Sequence, residues 1–167
     1  MMKRIIAIAS GTVWMVLLAS TVASAAPQTP EQLAAAMQGP PAADRVVACY
    51  FHRTQRCPTC LRVGNSIADV LVKRFGNELK QGTVQWVLMD FQSPKNARFT
   101  RYYQIGGPTL VLMLVRDGKV IAWKKADKVW TLLADQQKFS DYLSSEITPY
   151  VEQLRRPTPD KATEPTP

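Results

Sequence analysis

The feature that most constrains this chain is a switch from strand to helix periodicity with only four residues between the two patterns. Arg45–His52 is apolar and aromatic and is bounded by turn formers, which reads as a buried strand. Arg53–Arg56 follows as a short loop. From Pro58 onward Ile67, Val70, Leu71, Phe75 and Leu79 recur at spacings of three and four, which places them on one face of a helix.

The alternation continues downstream. Thr83–Phe91 reads as a second strand, and Ser93-Pro94 opens a short helix that runs through Tyr103 to the break at Gly106-Gly107-Pro108. Thr109–Arg116 is a continuous apolar strand. Asp117-Gly118 is a two-residue hairpin signal, and Lys119–Lys125 returns after it. Phe139, Tyr142, Leu143, Ile147, Tyr150, Val151 and Leu154 mark an amphipathic last helix. The order β-α-β-α-β-β-α predicts an α/β domain with a central mixed sheet of about four strands flanked by helices. Two helical crossovers predict parallel neighbours, and the closing hairpin predicts an antiparallel edge.

The flanks differ in composition from this core. Lys3 and Arg4, the apolar run Ile5–Ala23 and the small residues Ala23-Ser24-Ala25 have the layout of an export signal over 1–25. A retained membrane anchor is the competing reading, because the run is close to the ~20 residues that span a bilayer. Residues 26–44 form a lead-in in which Thr29 caps a short helix, Pro30–Met37, and Gly39-Pro40-Pro41 breaks it. The domain is expected over 45–156, followed by a disordered, Pro-rich tail over 157–167. Removing the signal takes the net charge from +8 to +6, scattered along the chain rather than gathered on one face. Nucleic acid is therefore not an expected partner.

Cys57-Pro58-Thr59-Cys60 sits where the first strand hands over to the helix. Pro suits a first helical turn, and the positive end of the helix favours a thiolate. Cys60 comes round beside Cys57 after nearly one turn. Cys57 is therefore expected to attack a disulfide and Cys60 to resolve the mixed disulfide. Arg53, Arg56 and His52 are candidates for tuning the Cys57 proton. Cys49 is the odd cysteine, expected to pack as a small buried hydrophobe. Zinc would need four ligands, and the spare Cys49 and His52 lie an odd number of positions apart on one strand, pointing to opposite faces. A structural disulfide, or a copper(I) site with His52 as third ligand, remains an alternative.

In order and spacing, the CxxC, the Gly107-Pro108-Thr109 before an apolar strand, the Asp-Gly hairpin and the last helix resemble the thioredoxin superfamily over roughly Arg45–Leu154. The resemblance implies a cis Pro108 packed beside the CxxC, with Gly107, Pro108 and Thr109 in the substrate groove. Tyr50-Phe51-His52 followed by Arg56-Cys57-Pro58-Thr59-Cys60 is similar to a group of small exported thioredoxin-like proteins, some labelled as a nitrophenyl-compound nitroreductase subunit. The chain carries no flavin or nicotinamide fingerprint, and no organic cofactor is implied. Two departures stand out: Arg56 precedes Cys57 where thioredoxin has Trp, and no Asp or Glu occurs from Arg45 to Cys57. The expected activity is thiol–disulfide exchange outside the cytoplasm, periplasmic or extracellular, with thiol- or disulfide-bearing proteins and a redox protein as partners. The membrane enters only if the N-terminal segment is uncleaved. The alternative is a non-enzymatic binding subunit or copper-handling chaperone.

Overall fold

The computed structural model describes residues 29–156. The signal reading over 1–25 and the tail reading over 157–167 lie outside the described residues. Helix α1 (Pro30–Met37) is closed by a capping box in which Thr29 Oγ1 accepts from the Gln32 amide and Gln32 Oε1 accepts from the Thr29 amide. Strand β1 (Arg45–His52), helix α2 (Pro58–Gln81) and strand β2 (Val84–Asp90) follow. A 3₁₀ turn (Pro94–Asn96) leads into α3 (Ala97–Tyr102), then the strands β3 (Thr109–Arg116) and β4 (Lys119–Lys125). A second 3₁₀ turn (Asp127–Val129) precedes α4 (Gln136–Arg155).

The four strands form one mixed sheet in the order β2-β1-β3-β4. β1 runs parallel to β2, whereas β3 is antiparallel to both β1 and β4. The second crossover therefore does not create a parallel pair, contrary to the sequence expectation. The reason is length. Six residues of α3 rise only about 9 Å, against about 23 Å for a seven-residue strand, so this helix does not carry the chain back along the sheet. It re-enters at the end where β2 stopped: Asp90 is opposite His52, and Thr109 is opposite Phe51. The β3–β4 hairpin turns on Asp117 (φ 47°) and Gly118 (φ 73°), both left-handed, as a two-residue Asp-Gly turn requires.

The larger core lies between one sheet face and the helices α2 and α4, and Ala34 of α1 is fully buried in it. The lead-in is thus packed into the domain. The Gly39 amide bonds the Leu79 carbonyl, and the Ala42 amide bonds the Gly82 carbonyl. Gly82 (φ 73°) caps α2 in the left-handed conformation that glycine adopts most readily. A smaller core on the opposite face joins Cys49, Phe51, Tyr103, Ile105, Val111 and Met113.

Candidate functional site

Cys57 is the N-cap of α2. Its backbone is extended (φ −74°, ψ 161°), and its Sγ accepts from the Cys60 amide at 3.2 Å, the place a Ser or Asp oxygen takes in an ordinary cap. Proline at the next position costs the helix nothing, since that amide has no intrahelical partner. Cys57 is exposed, whereas Cys60 is 4% exposed. Both are free thiols with their sulfurs 2.7 Å apart.

Their proton affinities diverge. The Cys57 thiol is drawn below its ordinary range first by the hydrogen bond with the Cys60 side chain, then by the Cys60 and Thr59 amides of the helix start. Burial pushes Cys60 the other way, reinforced by its hydrogen bond to Cys57. The opposed directions favour Cys60 as the donor in the 2.7 Å contact, which either sulfur could serve by geometry alone. The third thiol lies apart: Cys49 is 1% exposed on the other sheet face, and burial pushes it up to about 12.

The remaining candidates fall into two groups. Sheet register brings Gly107 and Pro108 to the sheet end from which the Arg53–Arg56 loop departs, because Thr109 pairs with Phe51. The Thr109 hydroxyl donates to the Gly107 carbonyl (2.9 Å), and Trp130 Nε1 donates to the Pro108 carbonyl (3.1 Å). No peptide bond among the described residues is cis, so Pro108 is trans where the family resemblance implies cis. Nothing lies within 4 Å of where a side chain would start at Gly106 or Gly107, so the backbone there is open.

None of the three proposed tuning residues hydrogen-bonds the Cys57 side chain. His52 Nδ1 lies 2.8 Å from the Arg53 carbonyl, which only accepts, so that nitrogen carries the proton. Arg53 is exposed. Arg56 turns toward Cys60: its Nη2 donates to the Cys60 carbonyl (3.3 Å), and its guanidinium lies 5.7 Å from the centre of the Tyr50 ring. The loop itself is pinned by Thr54, whose hydroxyl donates to Asp90 (2.8 Å) and whose amide donates to Gln92 (3.1 Å).

Glu31 is the residue that sequence reasoning missed. Arg56 Nη1 and Nη2 fork onto its two carboxylate oxygens at 2.8 and 2.6 Å, with both side chains largely buried (14% and 12% exposed). The fork occupies a notch at Gly64 of α2, where an added Cβ would lie 1.9 Å from Glu31 Oε1 and 2.4 Å from Arg56 Nη2. A glycine inside an otherwise regular helical pattern is a weak signal of such a notch, because Gly76 of the same helix meets only an ordinary contact. The Tyr50 hydroxyl completes the layer beneath the motif by donating to the Cys60 carbonyl at 3.3 Å.

Among the described residues no group of three or more His, Cys, Asp or Glu is arranged to hold a metal ion. A groove of about 580 Å³ between Arg98, Tyr102 and Lys119 has neither Cys57 nor Cys60 in its wall. Comparison with protein-family models and with curated proteins returns no match for this chain.

Proposed function

We propose that the Cys57–Cys60 pair carries out thiol–disulfide exchange on protein or peptide substrates outside the cytoplasm, from a thioredoxin-like fold. The observation that carries the reading is the asymmetry of the two thiols. One is exposed at a helix N-cap and holds its proton weakly; the other is buried beside it and holds its proton firmly. The Cys57 thiolate attacks one sulfur of a substrate disulfide, forming a Cys57–substrate disulfide and expelling the other sulfur as a thiolate. Cys60 then gives up its proton and attacks Cys57 Sγ, expelling the second substrate thiolate. The protein is left oxidised and the substrate reduced. Run backwards, the same steps oxidise a substrate dithiol. A second thiol protein resets the couple, so no organic cofactor is required.

The order of strands and helices around the CxxC supports the thioredoxin-like reading. The open backbone at Gly106-Gly107, at the sheet end next to the motif, suits a groove for an extended substrate segment. The reduction potential of the couple tests the proposal, measured in defined thiol buffers with alkylation of the free thiols as readout. A value between about −120 and −270 mV fits a working exchange protein, and its place in that range gives the direction of electron flow. A value well below about −300 mV makes the pair an inert structural disulfide and refutes the proposal.

A further inference from the structure

We propose that Glu31 and Arg56 are a positioning pair for the resolving step, holding a cation against the first turn of α2 so that buried Cys60 can attack. The inference rests on the exchange reading and adds what the motif itself lacks. Resolution requires a thiolate at Cys60, yet Cys60 is 4% exposed, and burial and the neighbouring sulfur both oppose losing its proton. The charged and titratable groups around it include Cys57 at the cap, Tyr50 beneath and Arg56 from the loop, with Glu31 of α1 bonded to Arg56. Arg56 is the cation of this set, and it favours the Cys60 thiolate.

An unrestrained arginine beside an exposed loop would spend much of its time in water. Three features hold this one in place. The two-pronged bond to Glu31 fixes the plane of the guanidinium. Nη2 is also bonded to the Cys60 carbonyl, which ties the cation to the residue it serves. The missing side chain at Gly64 makes room for both partners. Glu31 therefore has two opposed effects: it positions the cation, and it offsets part of the cation's charge.

That opposition gives a test a merely structural clamp would fail. Reduced full-length protein is mixed with 5,5′-dithiobis(2-nitrobenzoate) in a stopped-flow instrument. Cys57 attacks the aromatic disulfide and releases one thionitrobenzoate; Cys60 then attacks the mixed disulfide, loses its proton to solvent and releases the second. The pH midpoint of the second phase reports Cys60. Arg56→Gln removes the cation and leaves the carboxylate, so the midpoint rises by roughly one pH unit. Glu31→Gln removes the anion, while the amide oxygen still accepts one bond from Arg56, so the midpoint falls by a similar amount. Below both midpoints the thiolate fraction changes roughly tenfold, and because nucleophilicity falls with thiol pKa the second-phase rate changes by roughly threefold, in opposite directions for the two variants. If both variants move the midpoint in the same direction, or neither moves it, the pair is only a brace and the inference is overturned. Should Arg56→Gln fail to fold, Glu31→Gln is read together with alkylation of Cys60 in the reduced protein. A lowered midpoint with Cys60 still protected supports the charge role, whereas a lowered midpoint with Cys60 newly exposed marks a loosened brace and overturns the inference. A wild-type protein that releases no second equivalent refutes the exchange reading, and with it this inference; release with unsplit midpoints refutes this inference alone.

Discussion

Replacing Gly64 by Ala should destabilise this protein, although the same change inside a helix ordinarily does the opposite. In an unobstructed helix interior Ala is favoured over Gly by about 1 kcal/mol. At Gly64 the new methyl carbon would lie 1.9 Å from Glu31 Oε1 and 2.4 Å from Arg56 Nη2, so the ion pair must leave its notch. Leaving gives up two charge-assisted bonds between Arg56 and Glu31 and the bond to the Cys60 carbonyl. Bonds of this kind contribute about 1.5–3 kcal/mol each where charges take part, but both groups regain water on leaving, so a loss of about 2–4 kcal/mol for the set is reasonable. Against the helical gain the net is about 1–3 kcal/mol of destabilisation. Gly76 provides the control on the same helix, since an added Cβ there meets only Met37 Cε at 3.6 Å, an ordinary contact. Gly76→Ala should stabilise by about 0.5–1 kcal/mol. Thermal unfolding followed by circular dichroism separates the two: a fall of roughly 5–10 °C for Gly64→Ala against a rise of a few degrees for Gly76→Ala. If Gly64→Ala also raises the midpoint, the notch is not what holds the pair, and the reasoning fails.

Cys60→Ser should arrest exchange at the mixed disulfide, giving a Cys57-linked adduct detectable by mass spectrometry, whereas Cys57→Ser should form no adduct with the same substrate. Limited alkylation of the reduced protein should label Cys57 before Cys60 or Cys49. Its rate should rise through a pH midpoint below the ordinary thiol value of 9.0, because the helix amides and Cys60 hold the thiolate; a midpoint at or above that value counts against the cap geometry. Stability should fall as pH rises above about 9 toward 12. The unfolded chain then ionises Cys49 while the folded chain keeps it protonated until about 12, so unfolding gains the difference. Urea unfolding at pH 8 and 10.5 checks this, and Cys49→Ala should flatten that part of the slope.

What could be read from the sequence were the features whose cause is local. α1 follows from the reciprocal cap at Thr29 and Gln32 with Pro30 in the first turn, and the hairpin follows from two adjacent residues that tolerate positive φ. The strand bounds Arg45–His52, Thr109–Arg116 and Lys119–Lys125 coincide with the apolar runs because turn formers close each of them. The position of the CxxC at the helix start needed only the change of period around it. The direction of β3 did not follow, because a helical pattern between strands shows that the chain leaves the sheet but not at which end it returns. The Glu31–Arg56 fork was equally hidden: its partners are 25 positions apart, and their meeting depends on how α1 docks against α2. For the same reason Arg56 reads, from sequence, as a partner of the nearer cysteine. A side chain one residue before Cys57 can as readily reach back along the helix to the Cys60 carbonyl, and only the anchoring carboxylate decides which.

The composition of β1 and the ion pair have one physical connection. No carboxylate is available on β1, and the residue before Cys57 is a cation. A buried cation in that position is costly unless it is paired and hydrogen-bonded. α1 supplies the pairing from outside the strand–loop–helix unit, and Gly64 supplies the space. Residues before β1 would then matter to the chemistry as well as to the core: a chain beginning at Arg45 would retain both cysteines but leave Arg56 without its anion. Such a truncation also uncovers the face of α2 on which Ala34 packs, so loss of function in it would not separate the two roles. Glu31→Gln does separate them, because it keeps the helix, the packing and the shape of the side chain while removing a single charge.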